Sequence, residues 1–332
     1  MTAIVSDPKL QRHSAGRRVV YAALAGNVAV AVTKLAAAAV TGSAAMFSEA
    51  VHSIVDCGNE GLLLYGYRRA SRRPDLVHPF GYGRELYFWS FIVALMLFAL
   101  GAGVSIYQGV HHVIAPEPIR YAGISYVVLG LSFLFEGASW IVAWRSFSKV
   151  RGAVPFWTAF RQSKDPPAFM VLFEDTAALI GILIAAAGIF AAQWFDKPVF
   201  DGIASILIGL VLAVVATLLA IESKSLLIGE RATPALVEAI CRLAQEQPGV
   251  LRANSALTAQ LAPDQAMVAL SIEFDPELRA HEIETCVARI EQGVREAHPN
   301  VIALFVKPQT REQFEAARRA RFGAIVFPAA RS

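Results

Sequence analysis

Long apolar runs dominate the first two thirds of the chain. Each run is close to the roughly 20 residues that an α-helix needs to cross the hydrocarbon core of a bilayer. The pattern therefore predicts six membrane-spanning helices, numbered spans one to six: Val19 to Val40, Ala44 to Tyr67, Leu86 to Val110, Tyr121 to Trp144, Ala168 to Phe195 and Phe200 to Ile221.

The pattern changes after residue 228. Apolar residues recur at helical spacing from Leu236 to Ala244 and again from Ile283 to Ala297. Residues 251–261 and 267–274 alternate as strands do, and a third strand is predicted at 301–306. The order α-β-β-α-β predicts a compact α+β domain of ferredoxin-like type, whose small core would gain from pairing with a second copy.

These patterns divide the chain into four parts. We expect an N-terminal segment at 1–18, a six-helix, all-α transmembrane transport domain at 19–228, a ferredoxin-like dimerisation domain at 229–308 and a C-terminal tail at 309–332. The N-terminal segment is polar, so no cleavable signal peptide is expected.

Lys and Arg are placed unevenly around the spans. They cluster before span one and after spans two, four and six, whereas the other connections hold one such residue at most. The positive-inside rule then places both termini and the α+β domain in the cytoplasm. The Ala and Arg usage of the chain favours a bacterial plasma membrane.

Composition supports an integral membrane protein. Of 332 residues, 55% are hydrophobic and 17% charged, with a mean hydropathy of +0.48, whereas a soluble domain carries about 25% charge. The net charge of +3 is too small to indicate a nucleic-acid partner. Three widely spaced cysteines suggest neither disulfides nor a thiolate metal site. Phosphate-binding, hydrolase and metalloprotease motifs are absent from the sequence, so an enzyme is not expected.

Span two carries ionisable residues in an apolar run. His52 and Asp56 are four residues apart, so on a helix their side chains lie on one face. Ionisable groups at this depth are costly and usually functional. Imidazole nitrogen and carboxylate oxygen are both zinc ligands, which favours a divalent-cation site over a buried structural pair.

Span five carries a second acidic position. Glu174 and Asp175 are adjacent, and Asp175 lies eleven residues after Lys164, much as Asp56 lies twelve residues before Arg68. At about 1.5 Å per residue the two aspartates have nearly the same depth. Adjacent helical residues point about 100° apart, so one of the pair is expected to bind the ion; Asp175 is the first choice and Glu174 the second.

Other polar residues within the spans have weaker assignments. Lys34 and Glu136 could form an internal ion pair or lie on a proton path, and Glu49 is a further candidate for that path. Asn59 lies one turn from Asp56 and could orient the ligands. Among the remaining polar residues, His111 and His112 are expected at the solvated interface, and Asp201 is expected to cap its own helix.

Together these features resemble the cation diffusion facilitator family. The likeness covers residues 17 to 308 and includes the H-x-x-x-D of span two, the acidic site of span five and the loop from His78 to Glu85. It implies a homodimer that exchanges a divalent cation for protons by alternating access. By this resemblance His52 and Asp56 match the ligand pair of the second helix, and Asp175 matches the aspartate of the fifth.

The chain also departs from the family pattern. Val171 stands four residues before Asp175, where most members have a ligand, and Glu174 is the obvious substitute. A second site in the loop would use Asp75, His78 and the position of Tyr82, which is often His. In the α+β domain, Asn254, Ser271 and Phe305 stand near positions where several members place ligands, so that domain is expected to serve dimerisation alone.

The leading hypothesis is a proton-coupled exporter of zinc, with iron(II) or cobalt as alternatives. These ions and protons are substrates, and no prosthetic group is expected. His52 argues against magnesium, which prefers oxygen ligands. The alternative from another class is a membrane-anchored metal sensor or scaffold through which no ion passes.

Overall fold

The computed structural model describes residues 26–323. The predicted N-terminal segment 1–18, residues 19–25 of span one and residues 324–332 of the tail lie outside the described residues.

Six long helices and one short helix make up the described chain from residue 26 to residue 228. They are α1 (Gly26–Thr41), α2 (Ala44–Ala70), α3 (Arg84–Ile114), α4 (Ala122–Arg151), the short α5 (Phe156–Gln162), α6 (Pro166–Trp194) and α7 (Val199–Ile228). Four of them, α3, α4, α6 and α7, are long and apolar enough to cross a membrane. The predicted helical membrane region is therefore confirmed.

The other two long helices differ from these four. The described part of α1 is shorter, at Gly26–Thr41. Helix α2 has 27 residues but carries the acidic residues Glu49, Asp56 and Glu60 within its apolar sequence. That α1 and α2 also cross the bilayer stays a prediction.

Glycine and proline fix where several helices begin and end. Gly42, between α1 and α2, has a φ of +68°, a left-handed conformation that favours glycine at a helix end. Helix α6 begins at Pro166, which lacks the N–H that would be unsatisfied at that position. Within α3, Leu97–Ala102 form a π-helical turn that the apolar pattern did not predict.

Helices α3 and α7 approach closely at glycines. A β-carbon at Gly109 of α3 would lie 2.7 Å from the carbonyl oxygen of Gly202 and from Ile206 of α7. A β-carbon at Gly209 of α7 would likewise lie 2.6 Å from Ile106 of α3. Small residues permit this approach, which gives two membrane helices the packing contacts that hydrophobic burial does not supply in lipid.

The C-terminal part forms the predicted α+β domain. Its elements are α8 (Pro234–Gln245), β1 (Val250–Ala262), β2 (Gln265–Phe274), α9 (Ala280–Ala297) and β3 (Val301–Pro308), followed by α10 (Arg311–Phe322). Strand β2 is central, antiparallel to β1 and parallel to β3. The α-β-β-α-β order is confirmed.

The sheet has one covered and one open face. Val268, Leu270 and Ile272 of β2 are buried in one core with Ile240 of α8 and Ile290 of α9. The intervening position, Ala269, pairs with Leu257 of β1 and Phe305 of β3, so these three residues form a row on the opposite face. Leu257 and Phe305 are about half exposed.

The described residues pack into two compact units. The first contains the helical residues through Tyr67, then Phe88–Arg161 and Pro166–Ser223. The second joins Arg68–Tyr87 and Gln162–Asp165 to the chain from Lys224 onward. Inside the second unit, Gly83 packs so closely on the β1–β2 hairpin that a β-carbon there would lie 2.7 Å from Ala262.

We expect Gly109→Ala to destabilise the helical unit, because the added methyl group would overlap the backbone of α7 and overpacking costs about 1–3 kcal/mol. Gly130→Ala in α4 is the matched control, since no atom lies within 4 Å of its β-carbon position. Thermal unfolding of the full-length protein in detergent should show a lower Tm for Gly109→Ala alone. Equal Tm values for the two variants would contradict the close approach of α3 and α7.

Candidate functional site

His52 and Asp56 of α2 lie together, as their spacing predicted. His52 Nδ1 is 3.5 Å from Asp56 Oδ1, and the His52 side chain is 1% exposed. Both ring nitrogens of His52 and Oδ1 of Asp56 are buried and have no hydrogen-bond partner among the described residues. Because buried polar atoms in proteins are nearly always hydrogen-bonded, this cluster of unused nitrogen and oxygen atoms is chemically unusual.

The two acidic residues of α6 point to different helices. Glu174 faces α2, where its Oε1 accepts a hydrogen bond of 2.9 Å from Asn59 Nδ2. Asp175 faces α4, where its Oδ2 accepts a hydrogen bond of 2.8 Å from Ser139 Oγ. The structure thus brings Glu174, the second choice of the sequence analysis, to the helix of His52 and Asp56, and pairs Asp175 with a different neighbour.

The predicted ligands are not assembled into a closed metal site. Within residues 26–323 no three His, Cys, Asp or Glu side chains form a group that could hold a metal ion. The assignment of His52, Asp56, Glu174 and Asp175 as ligands therefore stays a prediction.

Lys34 is the centre of a buried charge cluster. Its Nζ, on α1, lies 3.2 Å from Glu49 Oε2 and donates 2.9 Å to Ser53 Oγ, both on α2, and it lies 3.4 Å from Glu136 Oε1 on α4. The Lys34 side chain is completely buried. The predicted pair of Lys34 and Glu136 is thus present, with Glu49 as a closer partner.

Glu49 also reaches α6. A β-carbon at Gly181 of α6 would overlap Glu49 Oε1, so only glycine leaves space for this carboxylate. Glu49 Oε1 is buried and has no hydrogen-bond partner within the described residues. Gly181 lies seven residues after Glu174, on the same face of α6, so Glu49 lies about two turns from Glu174 along that helix.

Glu60 of α2 is a further polar residue near the site that was not predicted from the sequence. It accepts a hydrogen bond from Asn27 Nδ2 of α1 and lies four residues after Asp56. His52, Asp56 and Glu60 therefore share one spacing of four residues, which the sequence already contained as a signal. The other overlooked polar partners, Ser53 and Ser139, carry no such signal because serine is common in membrane helices.

The expectations for Asp201 and His112 are both wrong. Asp201 does not cap its own helix; it accepts hydrogen bonds from the backbone N–H groups of Ala44 and Ala45 and so caps α2. His112 is not solvated: it is 3% exposed and its Nε2 lies 3.8 Å from Asp201 Oδ2. His111, by contrast, is exposed as expected.

In the loop between α2 and α3, the Asp75 carboxylate already accepts hydrogen bonds from protein groups. Tyr82 donates a hydrogen bond of 2.6 Å to Asp75 Oδ2, while the backbone N–H of His78 donates to Oδ1 at 2.7 Å. The Tyr82 hydroxyl, with this backbone donor, lowers the pKa of Asp75. A metal site in this loop would use the Asp75 carboxylate together with a histidine at position 82. Tyr82 stands at that position instead and hydrogen-bonds the carboxylate.

The ligand-like positions of the α+β domain also hydrogen-bond to protein groups. Asn254 Nδ2 donates to Ser271 Oγ at 3.2 Å and to the carbonyl oxygen of Gln309 at 3.0 Å. Phe305, on the open face of the sheet, supplies no ligand atom. Asn254 Oδ1 is buried without a hydrogen-bond partner among the described residues, but amide and hydroxyl oxygens are not the usual ligands of zinc.

Comparison with known proteins gives a consistent result. The family model of the cation efflux transmembrane domain matches residues 20–228. The human proton-coupled zinc antiporter SLC30A9, mitochondrial, is 32% identical over 238 residues, which are 71% of this chain and 42% of that protein. Metal tolerance protein C4 of Arabidopsis thaliana is 37% identical over 217 residues, which are 64% of this chain and 47% of that protein.

A bacterial relative is matched over more of its length. The cation-efflux pump FieF of Klebsiella pneumoniae (strain 342) is 23% identical over 290 residues, which are 84% of this chain and 91% of that protein. The chain spans less than half the length of the human and plant relatives. The antiporter and the pump are transporters rather than enzymes. The family match covers most of the chain, and the matched residues include the helical membrane region. The chain therefore belongs to the cation diffusion facilitator family of cation efflux proteins.

Proposed function

We propose that this protein exports a divalent cation, most readily zinc, from the cytoplasm in exchange for protons. The observation that carries the proposal is the buried, unpartnered nitrogen and oxygen atoms of His52 and Asp56 on the helix that Glu174 faces. Burying such atoms without partners costs free energy, and a bound cation would remove that cost. The human antiporter, named for zinc and protons, supports the same ions here.

The donor set favours zinc over harder cations. An imidazole with two carboxylates matches catalytic and transport-type zinc chemistry, in which the ligands are neutral His and ionised Asp or Glu. Iron(II) and cobalt accept the same donors. Magnesium prefers oxygen ligands and keeps its water, so we expect it to be excluded.

Ion binding in this proposal requires α2 and α6 to adjust. His52 and Asp56 come from α2, Glu174 is oriented toward them by Asn59, and a small shift of the two helices would bring the third ligand to the ion. Metal ligands must lose their protons to bind, so cation binding releases protons and protonation releases the cation. That linkage is the physical basis of the exchange.

We assign the cluster of Lys34, Glu49 and Glu136 to charge balance beside this site. Lys34 neutralises part of the negative charge of the α2 carboxylates, which would otherwise repel one another in a low-dielectric medium. Glu49, with one oxygen unpartnered, is the member best able to take up a proton.

The topology follows from the distribution of Lys and Arg. Both termini and the α+β domain lie in the cytoplasm in this proposal, and the membrane is the plasma membrane of a bacterium. We further propose a homodimer that pairs through the open sheet face, because Leu257 and Phe305 form an exposed apolar row there. Apolar side chains in such a row gain free energy when a second copy covers them.

We expect His52→Ala and Asp56→Ala to abolish zinc transport, because each removes one of the donors that hold the ion. The measurement is zinc flux into liposomes that contain the purified protein, driven by an imposed pH gradient. His281→Ala, an exposed histidine of α9, is the matched control and should transport as the wild type does. Unchanged flux in Asp56→Ala would remove the proposed site.

Glu174→Gln and Asp175→Asn separate the two candidate carboxylates of α6. Since Glu174 faces α2 and Asp175 faces α4, Glu174→Gln should stop zinc flux while Asp175→Asn keeps most of it. Asn59→Ala, which removes the donor that orients Glu174, should lower zinc affinity about 10- to 100-fold. Calorimetric titration of zinc would measure this affinity, and the opposite ranking of Glu174→Gln and Asp175→Asn would assign the ligand to Asp175.

Phe305→Glu tests the proposed dimer. A charge in the apolar row should dissociate the dimer, since two buried carboxylates would face each other without partners. Light scattering of the protein in detergent measures the mass, and Gln292→Glu, which adds the same charge on the exposed surface of α9, is the control. A dimer that persists in Phe305→Glu would show that this face is not the interface.

A further inference from the structure

Buried polar side chains line the junction of α2, α3 and α7. They lie between the N-terminal end of α2 and the level of Glu49, and each is at most 3% exposed. We name this set the polar seam; its members are Ser43 just before α2, Ser48 of α2, Ser105 and His112 of α3, and Asp201 and Ser205 of α7. The two members on α3 are seven residues apart and the two on α7 are four apart, so each of these pairs shares one face of its helix.

The middle of the polar seam is a serine pair. The hydroxyl groups of Ser48 and Ser205 lie 2.7 Å apart, and either can donate to the other. Ser205 can instead donate its single hydrogen to the backbone carbonyl of Ser105 at 2.8 Å, and Ser48 is then the donor within the pair. A hydroxyl group can accept a proton on one lone pair while it releases its own, so such a pair can pass a proton in either direction.

One end of the polar seam opens to a cavity. Asp201 accepts a 2.7 Å hydrogen bond from Ser43 Oγ and lies 3.8 Å from His112 Nε2, a separation too long for a direct hydrogen bond. That nitrogen is buried and has no hydrogen-bond partner in the described part of the chain. His112 also lines a cavity of about 200 Å³, which is large enough for several waters; its other lining residues are Gly42, Tyr107, Gln108, His111, Ala115 and Glu117.

The other end of the polar seam reaches Glu49. Glu49 follows Ser48 in α2, and its unpartnered Oε1 lies against Gly181 of α6. Ile208 of α7, three residues after Ser205, lies 3.7 Å from the same β-carbon position at Gly181. Glu49 and Ile208 thus border the same point on α6, which places the serine pair within about one helical turn of the Glu49 carboxylate along α2 and α7.

Hydrogen bonding between helices does not by itself explain this set. Polar residues that only hold helices together should satisfy one another. Here Ser105 Oγ, His112 Nε2 and Glu49 Oε1 are all buried without partners among residues 26–323. Buried polar atoms with free hydrogen-bonding capacity are what a path for water and protons requires.

We propose that the polar seam conducts protons between the cavity at His112 and the Glu49 carboxylate. The proposal rests on the proposed proton-coupled transport, in whose topology the cavity faces away from the cytoplasm. A protonated water in the cavity gives a proton to the His112 imidazole, and a water in the 3.8 Å gap passes it from Nε2 to Asp201. A bridging water carries it across the one-turn gap to the serine pair, and Glu49 receives it.

The charged groups at the two ends suit this direction of transfer. His112 faces the Asp201 carboxylate of α7, and His111 and Glu117 lie in the cavity beside it. Glu49 faces Lys34 of α1, which also contacts Glu136 of α4. A proton that arrives at Glu49 leaves the Lys34 charge to pair with Glu136, so the buried cluster stays close to neutral.

The test uses the full-length protein in liposomes and two readouts. One is zinc-driven proton movement, followed with a pH-sensitive dye inside the vesicles. The other is exchange of labelled for unlabelled zinc at equal concentrations, which needs no net proton movement. Ser205→Ala and His112→Gln should lose the proton movement and keep zinc exchange. Ser205→Thr, which keeps the hydroxyl group, should restore the proton movement, and Ser125→Ala, a buried serine of α4 outside the seam, should match the wild type.

Other outcomes would overturn the proposal. Wild-type proton movement in both Ser205→Ala and His112→Gln would show that protons take another route. Loss of zinc exchange together with proton movement in these variants would show that the seam only supports the fold. A wild-type protein that exchanges zinc without moving protons would overturn the coupling on which the seam depends. Absence of zinc exchange in the wild type would instead overturn the proposed transport itself.

Discussion

The ion cluster around Lys34 sets the arrangement of the helices that carry the candidate site. A charged side chain at the centre of a membrane helix costs about 2.5–3.5 kcal/mol on insertion scales, and the cost falls when a counter-charge lies beside it. Lys34 meets Glu49 and Ser53 of α2 and Glu136 of α4. Without Lys34, Glu49 and Glu136 would be left as uncompensated charges, so these contacts hold α1, α2 and α4 in one relative position.

Because the Lys34 charge is matched by partners, nearby polar atoms that lack hydrogen-bond partners are more informative. The chain satisfies Lys34 fully, and it satisfies the Asp75 carboxylate in the loop with hydrogen bonds from its own surroundings. Among the described residues it leaves both ring nitrogens of His52 and Oδ1 of Asp56 without such partners. Since the fold can provide partners for polar groups elsewhere, their absence at these two residues points to a role that needs their lone pairs.

Helix α2 connects these features because its polar residues meet three other helices. Glu60 reaches α1, Asn59 reaches α6, Glu49 reaches α1 and α6, and the N-terminal end is capped by Asp201 of α7. Helix α3 packs closely on α7 at glycines, and this packing holds in place the helix that carries Asp201. A helix with so many polar contacts can shift only if several of them change together, which would link ion and proton binding in the proposed exchange.

The sequence alone determined the helical membrane region, the α-β-β-α-β order and the approach of His52 to Asp56, because apolar run length, residue periodicity and a spacing of four act within one element. Which helix each side chain meets was decided by tertiary structure. Adjacent Glu174 and Asp175 point to α2 and α4, Asp201 caps α2 rather than α7, and His112 is buried rather than solvated. These outcomes depend on the rotation of each helix about its axis, which packing between helices fixes and local sequence does not encode.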